Sequence, residues 1–188
     1  MRLIHAVREL NHGKQPALTT IALDTDTDER ALFVREADEA VHLGRHAGDY
    51  VDMERLESAL RRSRADAAWV GWGFVAERPE FAELCERLGV VFIGPGACAM
   101  RRLGDKIASK RLAEELAVPL APWSGGPAGG LDEALAEAER IGYPLLVKAS
   151  AGGGGRGVRR VDRRADLQAA LEAAGAEARA AFGDPTLF

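Results

Sequence analysis

Four consecutive glycines, Gly152, Gly153, Gly154 and Gly155, followed by Arg156 and a fifth glycine, Gly157, place the strongest constraint on how this chain folds. Neither a helix nor a strand is expected to run through them, because glycine loses more backbone freedom on ordering than any other residue. The flanks define the loop. Residues 144–149 (PLLVKA) are short and apolar, and 158–161 (VRRV) mix polar with apolar positions, so both read as strands. The segment is a hairpin whose first strand ends at Lys148. Glycines allow positive φ and let backbone N–H groups approach an anion, successive N–H groups form a concave anion site, and a lysine adds a full charge. Composition alone leaves two readings: a phosphate-binding hairpin, or a flexible surface hairpin with an incidental lysine. Lys148 precedes the glycines and no helix follows directly, which excludes both the GxxxxGK[ST] loop and the dinucleotide fingerprint.

The rest of the chain alternates. Residues 2–10 (RLIHAVREL) carry apolar residues at helical spacing, with Asn11 and Gly13 as stop signals. Short strands are expected at 17–23, 40–44, 67–70 and 90–95, and helices near 29–37, over 51–64 and from Pro79, with Phe81, Leu84, Cys85 and Leu88 on its apolar face. This order predicts a parallel sheet with helices on both faces. Residues 96–116 are charged and helical, and 118–130 hold three prolines and four glycines as a linker or loop. A helix over 131–141, the hairpin, a long helix over 165–182 and a strand opening at 185–188 complete the chain. The division is expected at 1–95, 96–130 and 131–188.

Charge and cysteines exclude some functions. Lys and Arg number 25 against 29 Asp and Glu, a formal charge of −4, so no basic face for nucleic acid is expected. No apolar run approaches a membrane span and no cleavable leader is evident, so no membrane partner is expected. Cys85 and Cys98 form no CxxC pair, and a reducing, cytoplasmic setting is the default. Cys85 reads as a small buried hydrophobe. Asp24, Asp26, Asp28 and Glu29 lack the glycine and terminal glutamate of a calcium loop and are expected to cap the next helix and stay solvated. His42 reads as structural, with no partner carboxylate at ligand spacing. Trp69 is expected in the core and Trp123 against the linker. On pattern alone Lys106, among Arg101, Arg102 and Lys110, is a solvated lysine. Trp72, between Gly71 and Gly73, sits on a strand-end turn, where it either borders a ligand or caps the core.

The segment YPLLVKASAGGGGRGVRRV (143–161) resembles the glycine-loop hairpin of the ATP-grasp enzymes, specifically biotin carboxylases. The similarity continues in LGDKIAS (103–109), VFIGP (91–95) and READEAVHLG (35–44), in family-like order. GWG at 71–73 and PWSG at 122–125 are more like the biotin carboxylase part of multidomain acetyl-CoA carboxylases. Arg78 departs from the asparagine usual in the family, which puts the contacts of Glu77 in question.

The resemblance implies an α/β fold: a Rossmann-like pre-ATP-grasp parallel-sheet domain, then the start of an ATP-grasp domain with a small α+β glycine-lid subdomain. It implies that Lys106 and Lys148 contact ATP phosphates and that Gly152, Gly153, Gly154 and Gly155 form the lid. Trp72 and Gly73 match the pair bordering the biotin ureido site. The family's reaction carboxylates biotin with ATP and bicarbonate, as the first half-reaction of acyl-CoA carboxylases in fatty acid biosynthesis. Its partners would be a biotin carrier domain and a carboxyltransferase component, in an oligomeric parent. In the family a first strand precedes the helix at Arg2, and the adenine hinge, the Mg²⁺ ligands and the catalytic base and arginine follow the position of Phe188. The chain is therefore expected to be an N-terminal portion, with no catalytic residue of its own and little activity alone. Two rival expectations are a non-catalytic or split subunit completed by a partner chain, and another ATP-grasp ligase such as a carbamoyl-phosphate synthase.

Overall fold

A computed structural model describes residues 1–13 and 17–188, in two compact units, Met1–Met100 and Arg101–Phe188. In the first unit, α1 (Arg2–Asn11) buries Ile4 and is followed by Gly13 at φ +74°. β1 (Ile21–Thr25) begins later than the apolar pattern suggests, because side chains satisfy the preceding backbone. The Asn11 amide both donates to and accepts from Leu18, and Asp38 accepts from Thr20 N at 2.8 Å and Thr20 Oγ1 at 2.6 Å. After α2 (Leu32–Glu36), β2 (Glu39–Gly44) pairs in parallel with β1, Leu23 opposite Val41.

A 3-10 turn (Ala47–Val51) leads to α3 (Met53–Ser63), whose first N–H groups are capped by Asp52. That cap satisfies donors that a helix start leaves unpaired. β3 (Ala67–Ala68) pairs in parallel with β4 (Val91–Phe92) around α4 (Pro79–Leu88). α4 starts with proline at its first position and ends at Gly89 in the left-handed region, as the residue types favour. Leu43, Leu56, Leu60, Phe81, Leu84 and Cys85 form the core, with Phe92 edge-on to Phe81 at 5.8 Å. Burial pushes the Cys85 thiol up in pKa.

The expected parallel pairing is present, as two two-stranded ladders among the described residues. Other expectations need correction. Trp69, expected in the core, is 48% exposed, and Val91 at 64% and Ile93 at 52% are open to solvent as well. The physical reason is strand alternation: Phe92 turns to the core, and its neighbours on either side point away. The acidic run does not cap α2, whose N-cap is Ala31 without a side-chain bond. Asp24 is buried, and Asp28 accepts from Thr25 N at 2.7 Å and from the Tyr50 hydroxyl at 2.7 Å. Burial, then the bond to Asp28, push the Tyr50 hydroxyl above its usual range. His42 does have carboxylate partners, Asp24 at 3.2 Å and Asp26 at 3.3 Å. The parallel register sets His42 opposite Asp24, a proximity invisible to spacing along the chain.

α5 (Ala97–Gly104) runs across the division between the units. In the second unit, Asp105 breaks the expected single helical stretch by capping α6 (Lys106–Glu115) at Ala108 N. α7 (Leu131–Ile141) precedes β5 (Leu145–Lys148), which pairs antiparallel with β6 (Val158–Val161), Lys148 opposite Val158. α8 (Leu167–Phe182) packs Ala174 and Ala178 against Val147, Ala149 and Val161. The expected strand opening is present as a bridge between Leu187 and Ala149. Trp123 is buried over the linker, donating to Glu114 at 2.6 Å under the Lys110 ammonium. Among the described residues no helix is long and apolar enough to cross a membrane.

Replacing Phe81 with alanine should cost about 3–5 kcal/mol in urea denaturation, the usual range for deleting a buried ring. The bonds from the Thr20 hydroxyl and backbone hold the Asp38 carboxyl below its ordinary pKa. A depressed folded value contributes stability above the unfolded pKa and loses it as pH falls through the folded one. Thr20→Val should therefore flatten the loss of melting temperature on acidification below about pH 4, measured by thermal melts across pH.

Candidate functional site

The glycine hairpin is held at its ends and open in its middle. At the far end, Ala149 N donates to Gly157 O at 2.8 Å, and a Cβ on Gly157 would stand 2.8 Å from the Ala149 methyl. Gly157 N donates to the Glu177 carboxylate, which also pairs with Arg159 at 2.8 Å. At the near end, the Phe182 ring occupies the space a Gly152 side chain would need. Gly153, Gly154 and Gly155 face open space. Gly152, Gly154, Gly155 and Gly157 all lie at positive φ, from 65° to 79°, a region that other residues adopt only with strain.

Lys106 does not hang in solvent as its charge run suggests. Its ammonium donates to the carbonyls of Ser150, at 3.2 Å, and Gly152. The adjacent Asp105 accepts from the Ser150 hydroxyl. Burial opposes the charge on Asp105, but the bonds from Ser150 and from the Ala108 amide prevail and hold its carboxyl below the usual range. Lys106 and Gly152, two of the expected site residues, thus meet directly. Lys148 lies on β5 at the mouth of the same hairpin, and among the described residues its ammonium has no carboxylate within 4 Å.

Trp72 and Gly73 belong to the first unit. Trp72 is 91% exposed, which removes its reading as a core cap, and Gly73 (φ +74°) opens the 3-10 turn Phe74–Glu77. Arg78 donates to Val51 O at 3.1 Å and reaches Glu80 at 3.5 Å. Asp105, Ser150 and Phe182 were not singled out in the sequence. Asp105 has a helix-capping signal and Ser150 stands two positions before the glycine run, but 45 residues separate the pair.

Residues 1–100 match the family model described as biotin carboxylase, N-terminal domain. The chain belongs to the biotin carboxylase family. Residues 105–188 match the model described as carbamoyl-phosphate synthase L chain, ATP binding domain. Biotin carboxylase 1 of Bacillus subtilis is 36% identical over 100% of this chain and 41% of its own length. The solved biotin carboxylase-β,γ-ATP complex from Campylobacter jejuni is 35% identical, with a TM-score of 0.89 over 99% of this chain and 41% of that one. The biotin carboxylase domain of Hydrogenobacter thermophilus 2-oxoglutarate carboxylase, in complex with MgADP, ADP and bicarbonate, is 37% identical with a TM-score of 0.86, over 99% of this chain and 40% of that one. The chain spans about two fifths of the length of these relatives.

Ser150→Ala should leave the hairpin paired but free its near end, at a cost of about 1–3 kcal/mol for a lost bond to a charged group. Hydrogen exchange should rise at residues 150–156 and remain unchanged at 158–161.

Proposed function

We propose that this chain supplies the phosphate-contacting hairpin of a biotin carboxylase, which uses ATP and bicarbonate to carboxylate biotin. The observation that carries the reading is the glycine loop with fixed ends and an open middle, tied to Lys106, in a chain whose other unit belongs to the biotin carboxylase family. Lys148 and Lys106 would neutralise phosphate charge. Gly152, Gly153, Gly154 and Gly155 would bring backbone N–H groups over the nucleotide and exclude water. Positioning and charge neutralisation are what phosphoryl transfer requires of a protein. Trp72 and Gly73 would border the biotin side.

Mg²⁺ would supply further charge neutralisation in such a reaction. Among the described residues no cluster of carboxylate, histidine or cysteine side chains could hold it. The domain reading at 1–95, 96–130 and 131–188, with the last as lid subdomain, belongs to this proposal. So do a biotin carrier domain and a carboxyltransferase as partners, a role in fatty acid biosynthesis and a cytoplasmic setting. The match of 105–188 to a model named for carbamoyl-phosphate synthase favours a second reading, another ATP-grasp ligase. The first unit's family match weighs against it.

Titration with ATP should show saturable binding that Lys148→Ala weakens about tenfold, equivalent to about 1.4 kcal/mol. Undiminished binding in that variant, with its fold intact by circular dichroism, would remove Lys148 from the site.

A further inference from the structure

The first unit contains a basic concavity built from residues outside the glycine hairpin. It lies beyond the C-terminal end of β2, has a volume of about 520 Å³, and is lined by Gly44, Arg45, His46, Asp49, Arg55 and Arg62 among others. Ligands of open α/β sheets gather at this end of parallel strands. Two of its arginines are held by the strand itself. Arg62 Nη2 donates to His42 O at 2.6 Å, and Arg55 Nη1 donates to Leu43 O at 3.1 Å. The side chains are thereby positioned before any ligand arrives, which lowers the ordering cost of binding.

The charges do not cancel. Arg55 is paired with Asp49 at 3.3 Å and Asp52 at 3.5 Å. Asp49 is ionised, held below its usual pKa by the amide of His46. Among the described residues neither Arg45 nor Arg62 has a carboxylate within 4 Å. Two unneutralised guanidinium groups therefore face one cavity. Gly44 keeps its floor open, since a Cβ there would overlap the Asp49 carboxylate and approach Arg55 Nη1 to 2.7 Å.

We infer that this concavity binds a phosphate group. Guanidinium forks match phosphate oxygens in pairs, and two uncompensated positive charges suit a dianion better than a single carboxylate. The volume also leaves space for an organic residue attached to the phosphate.

Calorimetric titration of the chain with inorganic phosphate, and separately with AMP, at constant ionic strength tests the inference. Saturable binding with a dissociation constant of about 1 mM or tighter is expected for at least one probe. Arg45→Ala removes a side chain without a structural partner among the described residues, and should weaken that binding at least fivefold. Arg62→Ala should weaken it further. The part of the binding that Arg45→Ala removes should persist in Lys148→Ala, which alters only the glycine hairpin. Tighter binding of AMP would assign the site to a phosphate ester, and equal binding to free phosphate. No binding up to about 10 mM, or binding indifferent to Arg45→Ala but lost with Lys148→Ala, overturns the proposal.

Discussion

One ammonium group organises the glycine hairpin. Lys106 sits at the start of α6 and donates to two carbonyls, those of Ser150 and Gly152, at the point where strand gives way to glycines. A carbonyl at a strand end has lost its ladder partner and needs another donor. Asp105, one residue earlier, takes the Ser150 hydroxyl. Two consecutive residues of one helix start thus set where the loop begins. Without them the near end of the glycine run would lose its polar anchors, and glycine's own backbone preferences distinguish few conformations.

The same arrangement reconciles the proposed anion site with a folded chain. A loop rich in positive-φ glycine is costly to order along its whole length. Here the ordering is confined to the ends, where Phe182, Ala149 and Glu177 contact Gly152 and Gly157. The three glycines between them remain uncrowded. Order at the ends and space in the middle let backbone N–H groups turn toward charge without disturbing the β5–β6 ladder.

Helices were the more legible part of the sequence. Pro79 and Gly89 bracket α4 as their backbone preferences dictate, and Asp52 marks the start of α3. Strands were less legible, since strand ends depend on distant partners. β1 starts at Ile21 because Asn11 and Asp38 occupy the backbone before it, and β4 shows Val91 to solvent because only one face of its ladder is covered. The hairpin itself was visible in its composition. Lys106 was not, because a lysine in a charged helix looks the same whether it meets water or a carbonyl 46 residues away. The His42 pairing was hidden for the same reason: parallel register joins residues that sequence spacing keeps 18 apart.

The three tryptophans occupy three different media. Trp72 stands almost wholly in water, Trp69 is half covered, and Trp123 is buried between a carboxylate, an ammonium and the Phe188 ring. The first two belong to one unit and the third to the other. Indole emission shifts with the polarity around the ring, so the chain carries its own optical labels. A quencher dissolved in the buffer would darken the first unit well before the second, and the two units can be followed separately without adding a dye.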